Sequence, residues 1–347
     1  MANRGGDVKQ ILVVGGGLIG ARHMQSVLAH PDCDLVGLVD PNPSAAPDLQ
    51  TRRFADITDV DVPVDGIVLA TPTHLHAKQG IYAAERGWHM LIEKPVADNL
   101  RAAETLESAI GKAGVGSLVG HHRRYHRSVQ QLRDVIKNAE IGQVIAANLI
   151  WAMRKPDNYF HGNWRTSGGS PVLINLVHDI DLLRFVVGEI TDVAALRGAS
   201  VRGTDRIESG AVALAFENGA TGTISFADTS PSPWGFEAAT AENPNIGATG
   251  QDMLWIMGTK GAISYPSMTM WSGRDWGTAA SPTKLDKPQA LRSPLDAQLD
   301  HFLAVMDGQQ LLIDVSDATR TLSVALELEK QLTAQSVGGI HVRSAIA

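Results

Sequence analysis

The sequence predicts an α/β protein of two domains, a doubly wound parallel sheet in residues 1–124 and an α+β domain in residues 125–347. The length of 347 residues exceeds one ordinary hydrophobic core and fits two. Apolar runs alternate with helical patterns as far as about residue 125, which is typical of parallel strands joined by helices. Beyond that point strand-like runs dominate, and the adjacent Asn218 and Gly219 indicate an antiparallel hairpin.

The elements of the first domain are predicted from the spacing of its apolar residues. Strands are expected at 10–14, 35–39, 66–70, 89–92 and 116–120. Helices are expected at 19–29, 77–86 and 99–112, the last of them capped by Asp98. Because strands and helices alternate, the strands are expected to lie parallel in one sheet.

The second domain is predicted to contain a mostly antiparallel sheet. Its strands are expected at 144–153, 210–217, 221–227, 252–258 and 262–265, and its helices at 126–137, 173–187, 296–306 and 317–335. Residues 239–250 are predicted to form a loop. The helices are expected to cover one face of the sheet and to leave the other face to solvent or to another subunit.

Composition and charge exclude several classes of protein. The content of 44% hydrophobic and 19% charged residues is typical of a soluble globular chain. No apolar stretch approaches the roughly 18 residues of a membrane span, and the first residues lack a secretory signal, so a cytoplasmic location is expected. Cys33 is the only cysteine, which excludes an internal disulfide and a thiolate metal cluster. The net charge of -7 argues against nucleic acid as a partner, although residues 121–127 (HHRRYHR) are locally basic.

The stretch VVGGGLIG follows the first predicted strand and precedes the first predicted helix. Gly15, Gly17 and Gly20 match G-x-G-x-x-G in the context in which this pattern is informative. Glycines there allow a tight turn, and the start of the helix offers its amides to a pyrophosphate. Asp40, at the end of the second strand, would accept hydrogen bonds from both ribose hydroxyls of NAD. The sequence therefore predicts a Rossmann dinucleotide-binding domain.

The choice between NAD and NADP depends on the charges near the ribose. The carboxylate of Asp40 would repel a 2′-phosphate, which favours NAD as the cofactor. NADP remains the alternative, because Arg22, Arg52 or Arg53 could reach a phosphate.

Two further strand ends carry polar residues, and ligands of open parallel sheets bind beyond the carboxyl ends of the strands. The stretch ATPTHLH places Thr71 and His74 there, and the stretch LIEKP places Lys94 there. A partly desolvated lysine beside a cationic nicotinamide would have its pKa lowered toward neutrality. The alternative is a surface lysine paired with Glu93. The predicted cofactor-binding residues are Gly15, Gly17, Leu18, Ile19, Gly20, Asp40, Ala70, Thr71, Pro72, His74, Glu93 and Lys94.

The runs GGGLIG, ATPTHLH and GWHMLIEKP resemble the Gfo/Idh/MocA family of NAD(P)-dependent oxidoreductases, the glucose-fructose oxidoreductase and inositol dehydrogenase family. The similarity extends over nearly the whole chain, including IGQVIAAN, GTKGAISY and SPLDAQLDHFLAVMDG. The resemblance implies that Lys94 is an active-site residue whose bond to Pro95 is often cis. It also implies that the second domain has a large open sheet that forms homodimers or homotetramers. The implied substrates are sugars, polyols and cyclic diols.

The stretch SGGSPVLINLVHDIDLLRFVVG predicts a well-bounded helix with Asn175, His178 and Asp181 spaced three apart along one face. A histidine can exchange a proton with a hydroxyl near neutral pH, although a lone helical histidine is commonly a core residue bonded to a carbonyl. The family pattern of three glycines, an aspartate and then a histidine four residues later implies that His178 is catalytic. Here Ser170 replaces the third glycine and Ile174 occupies the aspartate position, so Asn175 is expected to take over part of that role without acting as a base.

Other polar residues are candidates for substrate binding rather than for catalysis. His178, Asp179 and Asp181 could bind a metal, but hydride transfer to NAD needs no Lewis acid and no second ligand cluster is evident, so no metal is predicted. Trp164 and Arg165 could equally be packing and ion-pair residues, and the stretch with Trp234 and Glu237 could equally be an oligomer contact. The predicted substrate-binding residues are His122, Arg123, Trp164, Arg165, Trp234 and Glu237.

We expect NAD(P)-dependent hydride transfer between the nicotinamide and a secondary alcohol or ketone of a sugar, cyclitol or cyclic diol. Lys94 and His178 would share the hydroxyl proton, with Asn175 beside them. Two alternatives stay open on the same scaffold. One is NAD-dependent cleavage of a glycosidic bond, and the other is a non-catalytic sensor that binds a dinucleotide and a protein partner.

Overall fold

The chain divides into two compact units, each formed from two segments. The computed structural model describes residues 8–160, 170–203, 205–243, 245–286, 288 and 292–335. The first unit combines Met1–His126 with Ala290–Ser323, and the second combines Arg127–Gln289 with Val324–Ala347. Residues 290–323, which the sequence analysis placed in the second domain, therefore group with the first unit.

The strands and helices of the described residues follow the chain in this order. The strands are β1 (Lys9–Val14), β2 (Cys33–Val39), β3 (Arg53–Phe54), β4 (Gly66–Leu69), β5 (His89–Ile92), β6 (Ser117–Val119), β7 (Val144–Ala152), β8 (Ile190–Arg197), β9 (Ser209–Phe216), β10 (Thr221–Ala227), β11 (Leu254–Gly258), β12 (Gly261–Tyr265), β13 (Thr269–Ser272) and β14 (Ser281–Lys284). The α-helices are α1 (Leu18–Ala29), α2 (His76–Glu85), α3 (Leu100–Ala113), α4 (Arg127–Lys137), α5 (Val177–Val186), α6 (Phe236–Thr240), α7 (Pro294–Met306) and α8 (Val315–Ala334).

The sheet of the first unit is parallel throughout, as the alternation of strands and helices predicted. Its order is β3-β2-β1-β4-β5-β6. The chain runs outward from β1 on one side and from β4 on the other, so the strand order reverses between these two strands. In doubly wound sheets this reversal marks the crevice in which ligands bind, outside the carboxyl ends of the strands.

Helix ends in the first unit follow ordinary capping chemistry. The side chain of Asn99 accepts a hydrogen bond from the amide of Ala102, so Asn99 rather than the predicted Asp98 caps α3. Gly114 ends α3 in the left-handed conformation, which suits a residue without a side chain. The cap prediction was wrong by one residue because both neighbours are good capping residues.

Helix α7 packs on the parallel sheet. A side chain at Gly66 in β4 would overlap Met306 and press on Phe302, so the helix lies directly against that strand. Ser26 of α1 also donates a hydrogen bond to Asp296 at 2.7 Å. The periodicity of the sequence predicts this helix, but it does not indicate which sheet the helix covers.

The second unit contains a large, mostly antiparallel sheet, as predicted. Its order is β14-β13-β12-β11-β7-β10-β9-β8, and the pairing of β7 with β10 is parallel. The hairpin between β9 and β10 turns at Gly219, whose φ is +84°, which confirms the predicted turn. Strands β8, β13 and β14 were not predicted; β8 and β14 are the two edge strands of this sheet, and β13 lies next to β14.

The helix that carries the predicted catalytic histidine is irregular. A π-helical turn, Val172–Leu176, leads directly into α5. Such turns contain one extra residue per turn and are frequent at functional sites. In the predicted loop 239–250, the first two residues instead belong to the short helix α6. Within the described ranges, no helix combines the length and the apolar character that crossing a bilayer requires.

Candidate functional site

The glycine turn after β1 leaves room for a phosphate group. Gly15 has a φ of +100°, and a side chain there would lie 2.6 Å from the carbonyl oxygen of Ala70. A side chain at Gly20 would overlap the carbonyl oxygen of Gly15, so this glycine allows α1 to approach the turn closely. At Gly17, by contrast, the position that a Cβ would take has no heavy atom of the described residues within 4 Å, apart from the neighbouring residues of the chain. The turn and the start of α1 therefore fit a dinucleotide pyrophosphate.

Asp40 is fixed beside this turn. The amide of Gly16 donates a hydrogen bond to its Oδ2 at 2.7 Å, and the amide of Asn42 donates to its Oδ1 at 2.8 Å. The side chain of Arg52 bonds Asp61, and the side chain of Arg53 bonds backbone carbonyls such as that of Ala45. The carboxylate is thus held beside the glycine turn, while the side chains of Arg52 and Arg53 make other contacts, and this arrangement is compatible with the predicted preference for NAD.

The ends of the central strands bring the other predicted cofactor residues to the same edge of the sheet. Leu69 pairs with Val14 on one side and with Ile92 on the other, so the segments that follow these residues leave the sheet together. Thr71 and Lys94 lie in those segments. Lys94 is half-buried, and its bond to Pro95 is cis, as the resemblance implied.

Glu93 is a buried carboxylate rather than a surface partner of Lys94. Its exposed fraction is 6%, and its Oε1 lies 2.9 Å from Nε2 of His23 in α1. Burial alone would raise the pKa of Glu93. The hydrogen bond from His23 and the positive charges of His23, His122 and Lys94 outweigh that effect and lower the pKa to about 2. The ionised carboxylate of Glu93 also accepts a hydrogen bond at 3.2 Å from the backbone amide of Lys94, the predicted catalytic lysine.

His76 joins two of the strand-end segments, and the sequence analysis did not single it out. Its Nδ1 lies 3.0 Å from the carbonyl oxygen of Pro95, and its Nε2 lies 2.9 Å from that of Thr71. Burial lowers the pKa of His76, while the two carbonyl contacts oppose that effect. A neutral ring can donate to only one of the two carbonyls. The histidine of the ATPTHLH motif therefore holds the segment after β4 against the segment of Lys94, whereas the neighbouring His74 is exposed.

In the second unit, Asn175 lies in the π-helical turn and His178 lies in the first turn of α5. His178 is 8% exposed, and Asp179 and Asp181 are fully buried. The side-chain amide oxygen of Asn175 accepts a hydrogen bond from Nζ of Lys155 at 2.6 Å. Lys155 was not predicted as a site residue, because an isolated lysine just after a strand belongs to no motif.

Ser170 has a structural role in this segment. Its hydroxyl bonds the carboxylate of Glu329 and accepts hydrogen bonds from the amides of Val172 and Leu173. The serine at the third glycine position thus satisfies amides at the start of the helix. Burial raises the pKa of Glu329, and the hydrogen bond with Ser170 counteracts part of that effect.

Glu237 and Lys155 both lie close to the side chain of Trp151. A side chain at Gly235 would contact both Cδ1 of Trp151, at 3.6 Å, and Oε2 of Glu237, at 3.7 Å. Nζ of Lys155 lies 5.3 Å from the centre of the Trp151 ring. The second unit therefore groups the predicted residues Asn175 and Glu237 around Trp151 and Lys155, while Trp234 is partly exposed nearby.

The remaining predicted residues lie either in the first unit or outside the described residues. His122 and Arg123 lie in a 3-10 turn of the first unit, where Arg123 is buried. Trp164 and Arg165 lie outside the described residues. Among the residues that the structure describes, no group of three or more histidine, cysteine, aspartate or glutamate side chains is arranged to hold a metal ion.

Comparison with known families matches both units. Residues 9–121 match the oxidoreductase family with an NAD-binding Rossmann fold, and residues 129–264 match the GFO/IDH/MocA C-terminal domain. The chain belongs to the Gfo/Idh/MocA family. This confirms the resemblance found in the motifs, and the protein is an NAD-binding oxidoreductase of that family.

Individual relatives agree with this assignment. The uncharacterized oxidoreductase YrbE of Bacillus subtilis is 30% identical over 231 residues, which cover 62% of this chain and 67% of that protein. The scyllo-inositol 2-dehydrogenase (NAD(+)) of Bacillus subtilis is 24% identical over 338 residues, 90% of this chain and 91% of that protein. The WlbA dehydrogenase from Bordetella pertussis, solved in complex with NADH and UDP-GlcNAcA, has the same fold, with a TM-score of 0.75 at 20% identity over 94% of this chain and 96% of that chain.

Proposed function

We propose that this Gfo/Idh/MocA oxidoreductase uses NAD to oxidise a secondary alcohol of a sugar, cyclitol or cyclic diol, or to reduce the corresponding ketone. The observation that carries the proposal is the half-buried Lys94 at the carboxyl edge of the parallel sheet, the same edge that carries the glycine turn that fits a pyrophosphate. Inositol dehydrogenases among the relatives, and the sugar nucleotide bound to the WlbA dehydrogenase, support a polyhydroxylated substrate.

Each residue has a separate role in this proposal. NAD, when bound, accepts the hydride. Gly15, Gly17 and Gly20 bind its pyrophosphate through the backbone, and Asp40 accepts hydrogen bonds from its ribose. The segments after β4 and β5, which His76 holds together, border the nicotinamide end.

The proton of the alcohol is assigned to Lys94 and His178. Both residues have polar side chains in partly or largely buried surroundings, where a bond to a reacting hydroxyl is stronger than in water. Asn175 cannot accept the proton, because an amide is not a base at neutral pH. We propose that it instead holds Lys155, to which it is bonded at 2.6 Å.

The proposal is tested by a panel of inositols, sugars and cyclic diols, with NAD and NADP in parallel, scored by absorbance of NADH or NADPH. We expect at least one polyol to be oxidised, and oxidation to be faster with NAD than with NADP. Absence of reduced cofactor with every compound would contradict the proposal. Release of a free sugar without net NADH would point to glycosidic cleavage, which the comparisons do not favour.

We also propose that the protein acts in the cytoplasm as a homodimer or homotetramer formed through the second sheet. The strands β13 and β14 lie at one edge of that sheet, and the side chains of β14 are exposed. Nearby, Trp271 and Trp276 are exposed, with Trp276 fully so. Sedimentation equilibrium should give a mass two or four times that of the chain, and a monomer would contradict the proposal.

A further inference from the structure

Strand β8 forms one edge of the second sheet. An edge strand presents a row of backbone N–H and C=O groups to which a strand of another chain can add. In β8, the backbone groups of successive residues point alternately toward β9 and away from it. The amide of Ala195 bonds a side chain outside the sheet, so the groups of Val193, Ala195 and Arg197 are the ones that point away from β9.

Two glutamines at the end of α8 bond these outward groups. Nε2 of Gln331 donates to the carbonyl of Val193 at 3.1 Å, and its Oε1 accepts from the amide of Ala195 at 2.9 Å. Nε2 of Gln335 donates to the carbonyl of Ala195 at 2.7 Å, and its Oε1 accepts from the amide of Arg197 at 2.9 Å. Each side-chain amide therefore makes the two bonds that one residue of a parallel neighbouring strand would make.

The orientation of both side-chain amides is fixed within α8. Nε2 of Gln331 also donates to Oε1 of Glu327 at 3.0 Å, and Nε2 of Gln335 also donates to the backbone carbonyl of Gln331 at 3.1 Å. Four residues of an α-helix rise about 6 Å, and two residues of a strand extend about 6.6 Å. The two glutamines, four residues apart, therefore match the repeat of the outward groups along β8.

The outward edge of β8 is closed from Val193 to Arg197. The remaining outward group of this stretch is the amide of Val193, which bonds Oδ1 of Asp192 at 2.8 Å. Three amides and two carbonyls of the edge are thus satisfied by side chains of the same chain.

The opposite edge of the sheet is protected in another way. Strand β14 has four residues and includes Pro282 and Lys284. A short strand, a proline and a lysine are common devices against strand addition. Strand β8 has eight residues, ITDVAALR, with neither a proline nor a lysine among them. Its protection therefore depends on Gln331 and Gln335.

We propose that Gln331 and Gln335 close a strand-addition surface on β8, and that the partner they exclude is β8 of a second copy of this chain. Two identical edges can pair about a two-fold axis, because the same surface then serves as both halves of the interface. The glutamines act as a guard that keeps copies of the chain from joining sheet to sheet. The inference does not rest on the dehydrogenase function.

The side chains of β8 suit pairing with a second copy of the same strand. When Ala195 lies opposite Ala195 of the second copy, Leu196 lies opposite Ala194 on the exposed face of the sheet. Leu196 is 70% exposed, so this pairing covers an apolar side chain that is otherwise in water. An antiparallel arrangement also places the end of one strand that carries Asp192 beside the end of the other that carries Arg197, so unlike charges are neighbours.

The test opens the edge in the full-length protein with the double substitution Gln331→Ala/Gln335→Ala. Alanine favours helix, so α8 keeps its shape while two amides and two carbonyls of β8 lose their partners. Sedimentation velocity gives the mass of the particles. Hydrogen exchange, read by mass spectrometry of peptides from β8, shows whether the amides of this strand are bonded. Both are measured over about a hundredfold range of protein concentration.

In the natural protein, the amides of Ala195 and Arg197 should exchange slowly at every concentration. In the double variant at the lowest concentration, these amides should exchange about tenfold faster or more. At the highest concentration, the double variant should form particles heavier than those of the natural protein. The β8 amides should then be protected again, because a second copy bonds them.

The matched control is Gln309→Ala/Gln310→Ala, which replaces two exposed glutamines of the first unit and should behave as the natural protein in both measurements. Each single variant, Gln331→Ala or Gln335→Ala, removes half of the bonds and should show both changes to a smaller extent. The single variants decide the matter if circular dichroism shows that the double variant is unfolded.

Three results would overturn the inference. The first is that the folded variants keep the mass of the natural protein at every concentration. The second is that their β8 amides exchange as slowly at low concentration as those of the natural protein. The third is that heavier particles form while the β8 amides still exchange rapidly, because the association then occurs elsewhere on the molecule.

Discussion

Replacing Glu93 by glutamine is expected to lower the free energy of unfolding at neutral pH. It should also remove part of the loss of stability that the natural protein shows in acid. Glutamine has nearly the same shape as glutamate, so the change removes the charge that the buried carboxylate shares with His23. The first unit would then keep its packing and lose an ionic hydrogen bond between α1 and the segment after β5.

The magnitude follows from the pKa of Glu93. The ordinary value is 4.5 and the value in the folded protein is about 2, so ionisation of Glu93 contributes on the order of 3 kcal/mol to the free energy of unfolding. Because the folded pKa is the lower one, the contribution is fully present above pH 4.5. It is lost as the pH falls toward 2, by about 1.4 kcal/mol for each unit of pH.

The assay is urea unfolding of the natural protein and of Glu93→Gln between pH 3.5 and 8, followed by circular dichroism. We expect the difference between the two proteins to be constant from pH 8 to about 5 and to narrow below pH 4.5. Glu107→Gln, at an exposed glutamate of α3, is the control and should follow the natural protein. Equal stability of Glu93→Gln and the natural protein at pH 7, or a difference that widens in acid, would refute the reasoning.

Four further outcomes are expected. Lys94→Ala should lower turnover about 100-fold to 10,000-fold with NADH affinity nearly unchanged by fluorescence titration, and unchanged turnover would remove Lys94 from the mechanism. Gly17→Ala should weaken NADH binding without changing the thermal midpoint, whereas Gly20→Ala should lower the midpoint as well, because only its Cβ overlaps the backbone. Asp40→Ser should reduce the ratio of kcat/KM with NAD to kcat/KM with NADP by about tenfold or more. An unchanged ratio would show that Asp40 does not determine the choice of cofactor. His76→Ala should lower the free energy of unfolding in urea by about 1–3 kcal/mol and also lower kcat, and normal values of both would show that the two carbonyl contacts contribute nothing.

The sequence was most informative where periodicity and motifs coincide. The parallel strands of the first unit and the hairpin at Gly219 follow from the alternation of apolar residues and from turn chemistry. The edge strands of the second sheet could not be found in this way. The four residues of β14 are all exposed and read SPTK, so they show no buried face to recognise. Their conformation depends on pairing with β13, which is a tertiary contact.

Contacts between distant segments also limited the prediction of the site. The sequence places Lys94 at a strand end, but it does not show that Glu93 is buried against His23, 70 residues earlier. Lys155 was missed for the same reason, since its partner Asn175 lies on a different element. Single polar residues without a motif become meaningful only when the fold brings their partners to them.

The two-segment origin of the first unit has a consequence for biosynthesis. Helix α7, which covers β4 through Phe302 and Met306, is separated from the rest of that unit by the 163 residues of 127–289. At about 5–20 residues per second, a ribosome needs roughly 8–30 s to translate these 163 residues. During that time the surface of β4 is not covered by α7. The first part of the nascent chain therefore exposes the apolar surface of β4, to which a chaperone could bind. A recombinant fragment ending at His126 would leave this surface of β4 exposed permanently. The fragment should aggregate unless residues 290–323 are supplied in trans.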